Sequence, residues 1–437
     1  MSTRPSVCER ILAPRQMFIT FARKRSLEMA TTTMQVNEER KPLLTPWRLW
    51  IAVLVVMVFI GLWGAIKVLL HGLQVTGLSD QVPWGLWITQ DLTSIGLGAG
   101  AFTFSAIVYL FRIKRFEPMA RIAVFIGFLG YTSAMLALAM DIGRPDRFYH
   151  PLIFWNMHSV LWEITWCVIL YSTVLVMEFL PILFESAFFD GKPGWRKFGH
   201  YLHKAAPVFA VIGLGLSMLH QSSLGATYGV LSGRAIWFKP SLPVMFIISA
   251  IAGGISMTLL LTLITGKLSN CRKITRELQF EISRIIGYII LGYMYIKLWD
   301  WAATSYYSQV HAETISRLQA TTPYTQTFWW LEIILGGLVP AIILLYRPLR
   351  HNDRYVMIAL GLIVMGVLVN RWNVTLSGLV APPQWSPGVL GNLVVATYIP
   401  SLTEFAVAIG IAGYALLGFT LGARYLPLYQ ARCEIDE

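Results

Sequence analysis

Along most of the chain the apolar residues come in long runs broken by short polar stretches. Alternating patterns are rare. Ten runs approach or reach the roughly 17 to 25 residues that carry a helix across a bilayer. They extend from Leu49 to Leu70, Ile88 to Phe111, Met119 to Met140, Ser159 to Phe184, Ala206 to Leu219, Leu242 to Thr265, Ile282 to Ala302, Phe328 to Leu345, Val356 to Asn370 and Leu402 to Leu421, the fifth and ninth being the shortest. The pattern predicts an all-α integral membrane protein of about ten transmembrane helices arranged as helical bundles. No internal repeat or low-complexity segment interrupts it.

Charge fixes the expected orientation. Of the 35 Lys and Arg residues, 27 fall on the side that holds both termini, six on the other side, and Lys67 and Lys297 lie inside spans. Basic residues collect in cytoplasmic loops, so both termini are expected in the cytoplasm, with residues 1–46 and 426–437 as tails. The first tail has no apolar core of signal-peptide length. Met29 opens MATTTMQVNEER, a second possible start.

Composition agrees with the spans: 56% of residues are apolar and only 13% charged, with a mean hydropathy of +0.59. A net charge of +12 on a soluble chain would suggest a nucleic-acid surface, but here it is mostly topological, and no nucleic-acid partner is expected. Cys8, Cys167, Cys271 and Cys433 are far apart and form no CxxC pair. They encode no iron–sulfur or zinc site and no disulfide framework. Nucleophile-elbow, Walker, HExxH, CxxCH and Rossmann patterns are missing, so the chain carries no self-contained redox centre.

The remaining chemistry concentrates at the outer level. PWGLWITQD (83–91) enters the second span there, and DIGRPDRFYHPLIFWNMHSVLWE (141–163) links the third to the fourth. HQSS (220–223), KLWDW (297–301), NRWN (370–373) and Glu404 reach the same level. Ionisable groups near hydrocarbon cost about 2.5–3.5 kcal/mol each on insertion scales and mark cavities, pathways or ion pairs. Asp141 with Arg144, and Lys297 with Asp300, read equally well as ion pairs at helix ends. Trp84, Trp87, Trp155 and Trp162 fit an interfacial belt better than a binding box, and Gly96 with Gly100 forms a face for close helix packing. His158, Glu163 and His220 point instead to function. Glu178 lies about 22 Å further along the same helix as Glu163 and about 60° around it, which suggests a proton route. Glu332 is a further intramembrane acid. Such a pocket, open to lipid, suits a lipophilic quinone, whose carbonyl oxygens need donors and whose electrons must come from a partner.

In order and spacing, PWGLWITQDL, DIGRPDR, NMHSVLWE followed by MEFLPILFE, MLHQSSLG, FWWLEIIL and Arg371 before the last span resemble the NrfD or polysulfide-reductase membrane-subunit family. The resemblance covers about residues 47 to 425 and is to the ten-span branch that includes HybB and DsrP. It implies an eight-helix quinone-binding core over residues 47–346 and two additional helices over 347–425. It also implies a bound menaquinone or other quinone with no heme or iron–sulfur cluster in the chain itself, a ferredoxin-like iron–sulfur subunit on the periplasmic side, and a further catalytic or multiheme cytochrome subunit. The expected location is the bacterial or archaeal cytoplasmic membrane, among its lipids. The quinone-binding set becomes Trp84, Asp91, Asp141, Arg144, His158, Glu163, His220 and Gln221, and the proton relay Glu163, Glu178, Asp300, Glu332 and Glu404. HybB-like chains carry asparagine where this one has His158, which weakens that assignment. A b-type cytochrome anchor using His71, His158 and His220, and a proton-coupled transporter, remain as alternatives.

Overall fold

The computed structural model describes residues 46–231, 234, 236–306, 326–381 and 396–429. By internal contacts the chain divides into Met1–Val53 and Leu54–Glu437. Among the described residues of the first unit there is only the start of a helix; the second unit holds all of the site discussed below.

Ten helices are long and apolar enough to cross a membrane among the described residues. They are α1 (Pro46–His71), α2 (Leu86–Leu110), α3 (Glu117–Asp141), α4 (Val160–Phe184) and α5 (Pro193–Gly229). The others are α6 (Leu242–Leu268), α7 (Arg276–Tyr306), α8 (Thr327–Leu345), α9 (Asp353–Val380) and α10 (Leu402–Tyr425). Every apolar run thus became a helix, since in lipid only intrahelical bonding satisfies the backbone. Local signals set the ends. The Ser159 hydroxyl accepts from the Trp162 N–H to open α4, Asn352 caps α9, and a Ser401/Glu404 capping box opens α10.

Two helices are far longer than their apolar runs. The α5 helix has 37 residues, where Ala206–Leu219 was expected, and α9 has 28, where Val356–Asn370 was expected. Both extensions carry polar residues that are buried against other helices, His220 and Gln221 on α5 and Asn373 and Thr375 on α9. Apolar-run length cannot register a helix whose polar side chains find partners inside the protein. Cys271 is disulfide-bonded, which the wide cysteine spacing did not anticipate.

The α2 helix, buried on nearly every side, is the hub, packing on α3, α5, α6 and α9. Its crossing with α6 is close because both helices present glycine. A Cβ on Gly100 would lie 1.7 Å from the Ala250 carbonyl oxygen, and one on Gly254 would lie 2.1 Å from the Ala101 nitrogen. The α4–α5 and α8–α9 pairs flank this hub, and α10 lies against α3. On α1, Gly61 meets Gly410 of α10 backbone to backbone.

Cross-links identify the two ends of the bundle. Arg115–Glu281 (2.7 Å), Arg121–Glu185 (2.6 Å) and Arg272–Asp353 (3.0 Å) tie together the Lys/Arg-rich loops. At the opposite end, Lys239 pairs with Asp300 at 2.8 Å and the Trp237 indole donates to the Val374 carbonyl at 2.6 Å. This grouping matches the loop alternation read from the charges.

Candidate functional site

The site is built on α2, α3 and α5 near the end opposite the Lys/Arg-rich loops. His220 is fully buried on α5, and its Nδ1 lies 2.8 Å from the hydroxyl of Tyr131 on α3. Tyr131 stands edge-on to Tyr171 of α4, with ring centroids 4.5 Å apart. One turn toward the Lys/Arg-rich end, Ser217 of α5 shares a 3.2 Å hydrogen bond with Thr103 of α2. The Tyr171 hydroxyl sits beside Ser217 without forming a full hydrogen bond.

Several buried polar atoms on these helices have no partner: the His220 Nε2 and both side-chain amide atoms of Gln221 on α5, one carboxylate oxygen of Asp91 on α2 and one of Asp141 at the end of α3. Each such atom costs about 1–3 kcal/mol, and buried polar groups are otherwise almost always paired. Five such atoms lie on three helices that pack together, α2, α3 and α5. Asp91 and Asp141 are close enough to interact electrostatically, and Tyr228 interacts with both. An aromatic wall adjoins the two acids. Trp84 stacks on Trp237 at 6.4 Å, and Tyr228 stands edge-on to the two rings at 6.1 and 4.9 Å. Glu163, at the start of α4, accepts a 2.7 Å hydrogen bond from Ser223 of α5.

Other expected site residues lie elsewhere. Arg144 does not pair with Asp141. It is exposed and forms a two-bond pair with Asp146 (2.9 and 3.0 Å), which holds the Asp146 carboxyl below its ordinary value. His71 and His158 are exposed, unlike His220. Trp155 is exposed, as a belt residue would be, but Trp87 is buried and donates to the Glu404 carbonyl, so the belt reading fails for it. Glu404 acts as a cap: its carboxylate accepts from Gly77 N at 2.7 Å, from Ser401 N at 2.8 Å and from the Tyr398 hydroxyl. Burial, then the bond to Glu404, pushes the Tyr398 hydroxyl well above its ordinary pKa. Glu178 is buried near the Lys/Arg-rich end beside a cavity of about 20 Å³ lined by Tyr109, Arg121, Glu185 and His203.

Lys297 does not pair with Asp300. It forms a buried ion pair with Glu332 of α8, while Asp300 is bonded to Lys239 and to Ser241 (2.9 Å). Asn370 and Asn373 of α9 each donate to Glu332 at 2.8 Å. Arg371, fully buried, donates to Asn370 at 2.7 Å and to Ser249 at 2.9 Å, with its guanidinium 3.6 Å from the Phe246 ring centroid. Above Glu332 is a cavity of about 100 Å³ reaching Asp300 and Trp237, and beneath it one of about 10 Å³ between α8 and α9. Ligand pockets span about 300–1,000 Å³, so the larger cavity suits a few waters. Tyr131 and Tyr228 were not singled out, and Asn370 and Asn373 were read only as part of NRWN at the outer level. Each is a hydroxyl or amide set in an otherwise apolar helix, the signal by which such positions are found.

Two kinds of comparison bear on this arrangement. The sequence profile described as "Polysulphide reductase, NrfD" matches residues 74–383, which takes in α2 through α9. The menaquinone reductase integral membrane subunit of Nitratidesulfovibrio vulgaris is 32% identical over 90% of this chain and 94% of its own length. The Hdr-like menaquinol oxidoreductase integral membrane subunit of Archaeoglobus fulgidus is 27% identical, covering 84% of this chain and 90% of itself. The probable Ni/Fe-hydrogenase 2 b-type cytochrome subunit of Escherichia coli is also 27% identical, over 83% and 88%.

Proposed function

The chain belongs to the polysulphide reductase NrfD family, and from that premise we propose that it is the quinone-binding membrane subunit of a multi-subunit respiratory oxidoreductase. The observation that carries the reading is the group of unpartnered buried polar atoms on His220, Gln221, Asp91 and Asp141. These residues fit a quinone headgroup. A Tyr131 hydroxyl that donates to Nδ1 keeps the His220 proton on Nε2, which then donates to a carbonyl oxygen. The Gln221 amide supplies a second donor. The wall of Trp84, Trp237 and Tyr228 offers flat apolar surface beside the acids. When bound, the quinone supplies two-electron, two-proton chemistry.

The protein's own part is to orient the ring and to handle protons. Asp91 and Asp141 take up or release them at the carbonyl oxygens, and Glu163 with Ser223 connects this level to the outer surface. Toward the cytoplasm, Tyr131, Tyr171 and Glu178 line one side of α3 and α4, with Glu178 two turns, about 10 Å, beyond Tyr171. A second polar axis runs through Asp300, Lys297 and Glu332 with water-sized cavities on either side. Electrons pass to or from an iron–sulfur subunit docked on the outer face and onward to a catalytic or multiheme cytochrome subunit. Menaquinone is the quinone favoured by the names of the Nitratidesulfovibrio and Archaeoglobus relatives.

The test is quinone-linked turnover by membranes expressing His220→Ala or Gln221→Ala, beside lipid extracts of the purified complexes. Loss of both turnover and bound quinone is expected. Unchanged turnover in His220→Ala overturns the reading, and a b-heme band in a reduced-minus-oxidised spectrum of the isolated chain would favour a cytochrome instead.

A further inference from the structure

A larger cavity, about 850 Å³, lies at the Lys/Arg-rich end between the C-terminal end of α6, its turn into α7, and the turn from α8 into α9. Five cations line it: Lys267, Arg272, Lys273, Arg276 and Arg354. Among the described residues its one acid, Asp353, is already held by Arg272 at 3.0 Å and by Gln279 at 2.8 Å. Lys273 rests 5.6 Å from the Tyr429 ring. Lys267, Arg276 and Arg354 are exposed and have no carboxylate partner among the described residues. Positive-inside topology asks only that basic residues lie on the cytoplasmic side; it does not make them converge on a cavity with four cations in excess of acids among the described residues.

The height of the cavity bears on its ligand. The apolar run of α6 ends at Thr265 and its helix at Leu268, and α7 and α9 begin at Arg276 and Asp353, so the cations stand at the level where hydrocarbon gives way to headgroups. Leu263, Ile274 and Met357 line the same cavity, and on α6 the neighbouring Ile264 and Leu268 are exposed, so apolar surface leads from the cations toward the bilayer. A free phosphate would use only the cations. An anionic phospholipid uses both features, its phosphate among Lys267, Arg276 and Arg354 and its chains along α6. We propose that this cavity is a binding site for an anionic phospholipid headgroup, separate from the quinone site. Basic pockets between transmembrane helices on the cytoplasmic side have this chemistry.

The test uses the complex purified in mild detergent and titrated with phosphatidylglycerol, phosphatidylcholine or inorganic phosphate, following melting temperature and retained lipid phosphorus. Phosphatidylglycerol is expected to stabilise and be retained, with phosphatidylcholine inert. Each cation removed is expected to weaken binding roughly fivefold, and K267A/R276A/R354A together roughly a hundredfold. If the triple variant does not fold, the single Arg354→Ala, on an exposed side chain, must still show the fivefold loss. Equal retention by wild type and variant, or no preference for phosphatidylglycerol over phosphatidylcholine, overturns the proposal. Stabilisation by inorganic phosphate alone would assign the cations to a free anion and overturn the lipid.

Discussion

Removing the Glu332 charge should be far more damaging than removing the Lys297 charge, although the two form one ion pair. Glu332 is the single carboxylate in a buried network with Lys297, Asn370, Asn373 and, through Asn370, Arg371. Glu332→Gln leaves Lys297 and Arg371 buried without the carboxylate that their network holds, Asp300 remaining only as a charge near Lys297 that is already bonded to Lys239. Breaking a buried pair in this way costs about 3–5 kcal/mol. Lys297→Met leaves Glu332 still bonded to both asparagines and still facing Arg371, so the loss is closer to that of hydrogen bonds to a charged group, about 1–3 kcal/mol. The assay is thermal unfolding of the purified protein in one detergent. The predicted order of melting temperature is wild type, then Lys297→Met, then Glu332→Gln. A Lys297→Met variant that melts at or below Glu332→Gln would refute the view that Arg371 shares the carboxylate.

Gly100→Val should abolish folded protein in fluorescence-detected gel filtration, because its Cβ would overlap the Ala250 carbonyl, whereas Gly96→Ala, whose nearest neighbour is the Arg371 guanidinium at 3.7 Å, should express normally. Tyr398→Phe removes the donor to Glu404 and the acceptor for the Leu86 N–H at 2.8 Å, and should lower stability by about 1–3 kcal/mol in denaturant melts. Since burial raises the Tyr398 pKa, the wild type should begin to lose this contribution only as pH rises past the unfolded tyrosine value near 10, a loss absent from the variant. Arg144→Ala should leave the melting temperature unchanged, because its pair with Asp146 is exposed; a clear drop would mean that the loop packs more tightly than its exposure indicates.

The ten spans were legible because continuous apolar runs leave lipid-crossing helices as the only solution. What the runs could not reveal was where helices continue as polar but buried segments. HQSSLGATYG ends α5 and RWNVTLSGLV ends α9, and both read from the sequence as exits from the membrane. Ion pairing was misread for a related reason. Asp141 with Arg144 and Lys297 with Asp300 are neighbours along the chain, and sequence offers no view of Glu332 or Lys239, which other helices bring closer. For the same reason Glu404 read only as an acid at the outer end of the last span, and its bonds to Gly77 and Tyr398, which make it a helix cap, come from the folded chain. His220 and Asp91 stood out as polar groups in apolar surroundings, but Tyr131, which fixes the His220 ring, is invisible as a partner until α3 packs on α5.

The central claim is that a quinone headgroup sits among His220, Gln221, Asp91 and Asp141. The most direct test is labelling of the purified complex with a photoreactive quinone, followed by peptide mapping. Adducts are expected on α2, α3 and α5 around these residues, suppressed by excess menaquinone and lost in His220→Ala. Labelling confined to the Lys297–Glu332 cavity, or adducts around His220 that excess menaquinone does not suppress, would contradict it.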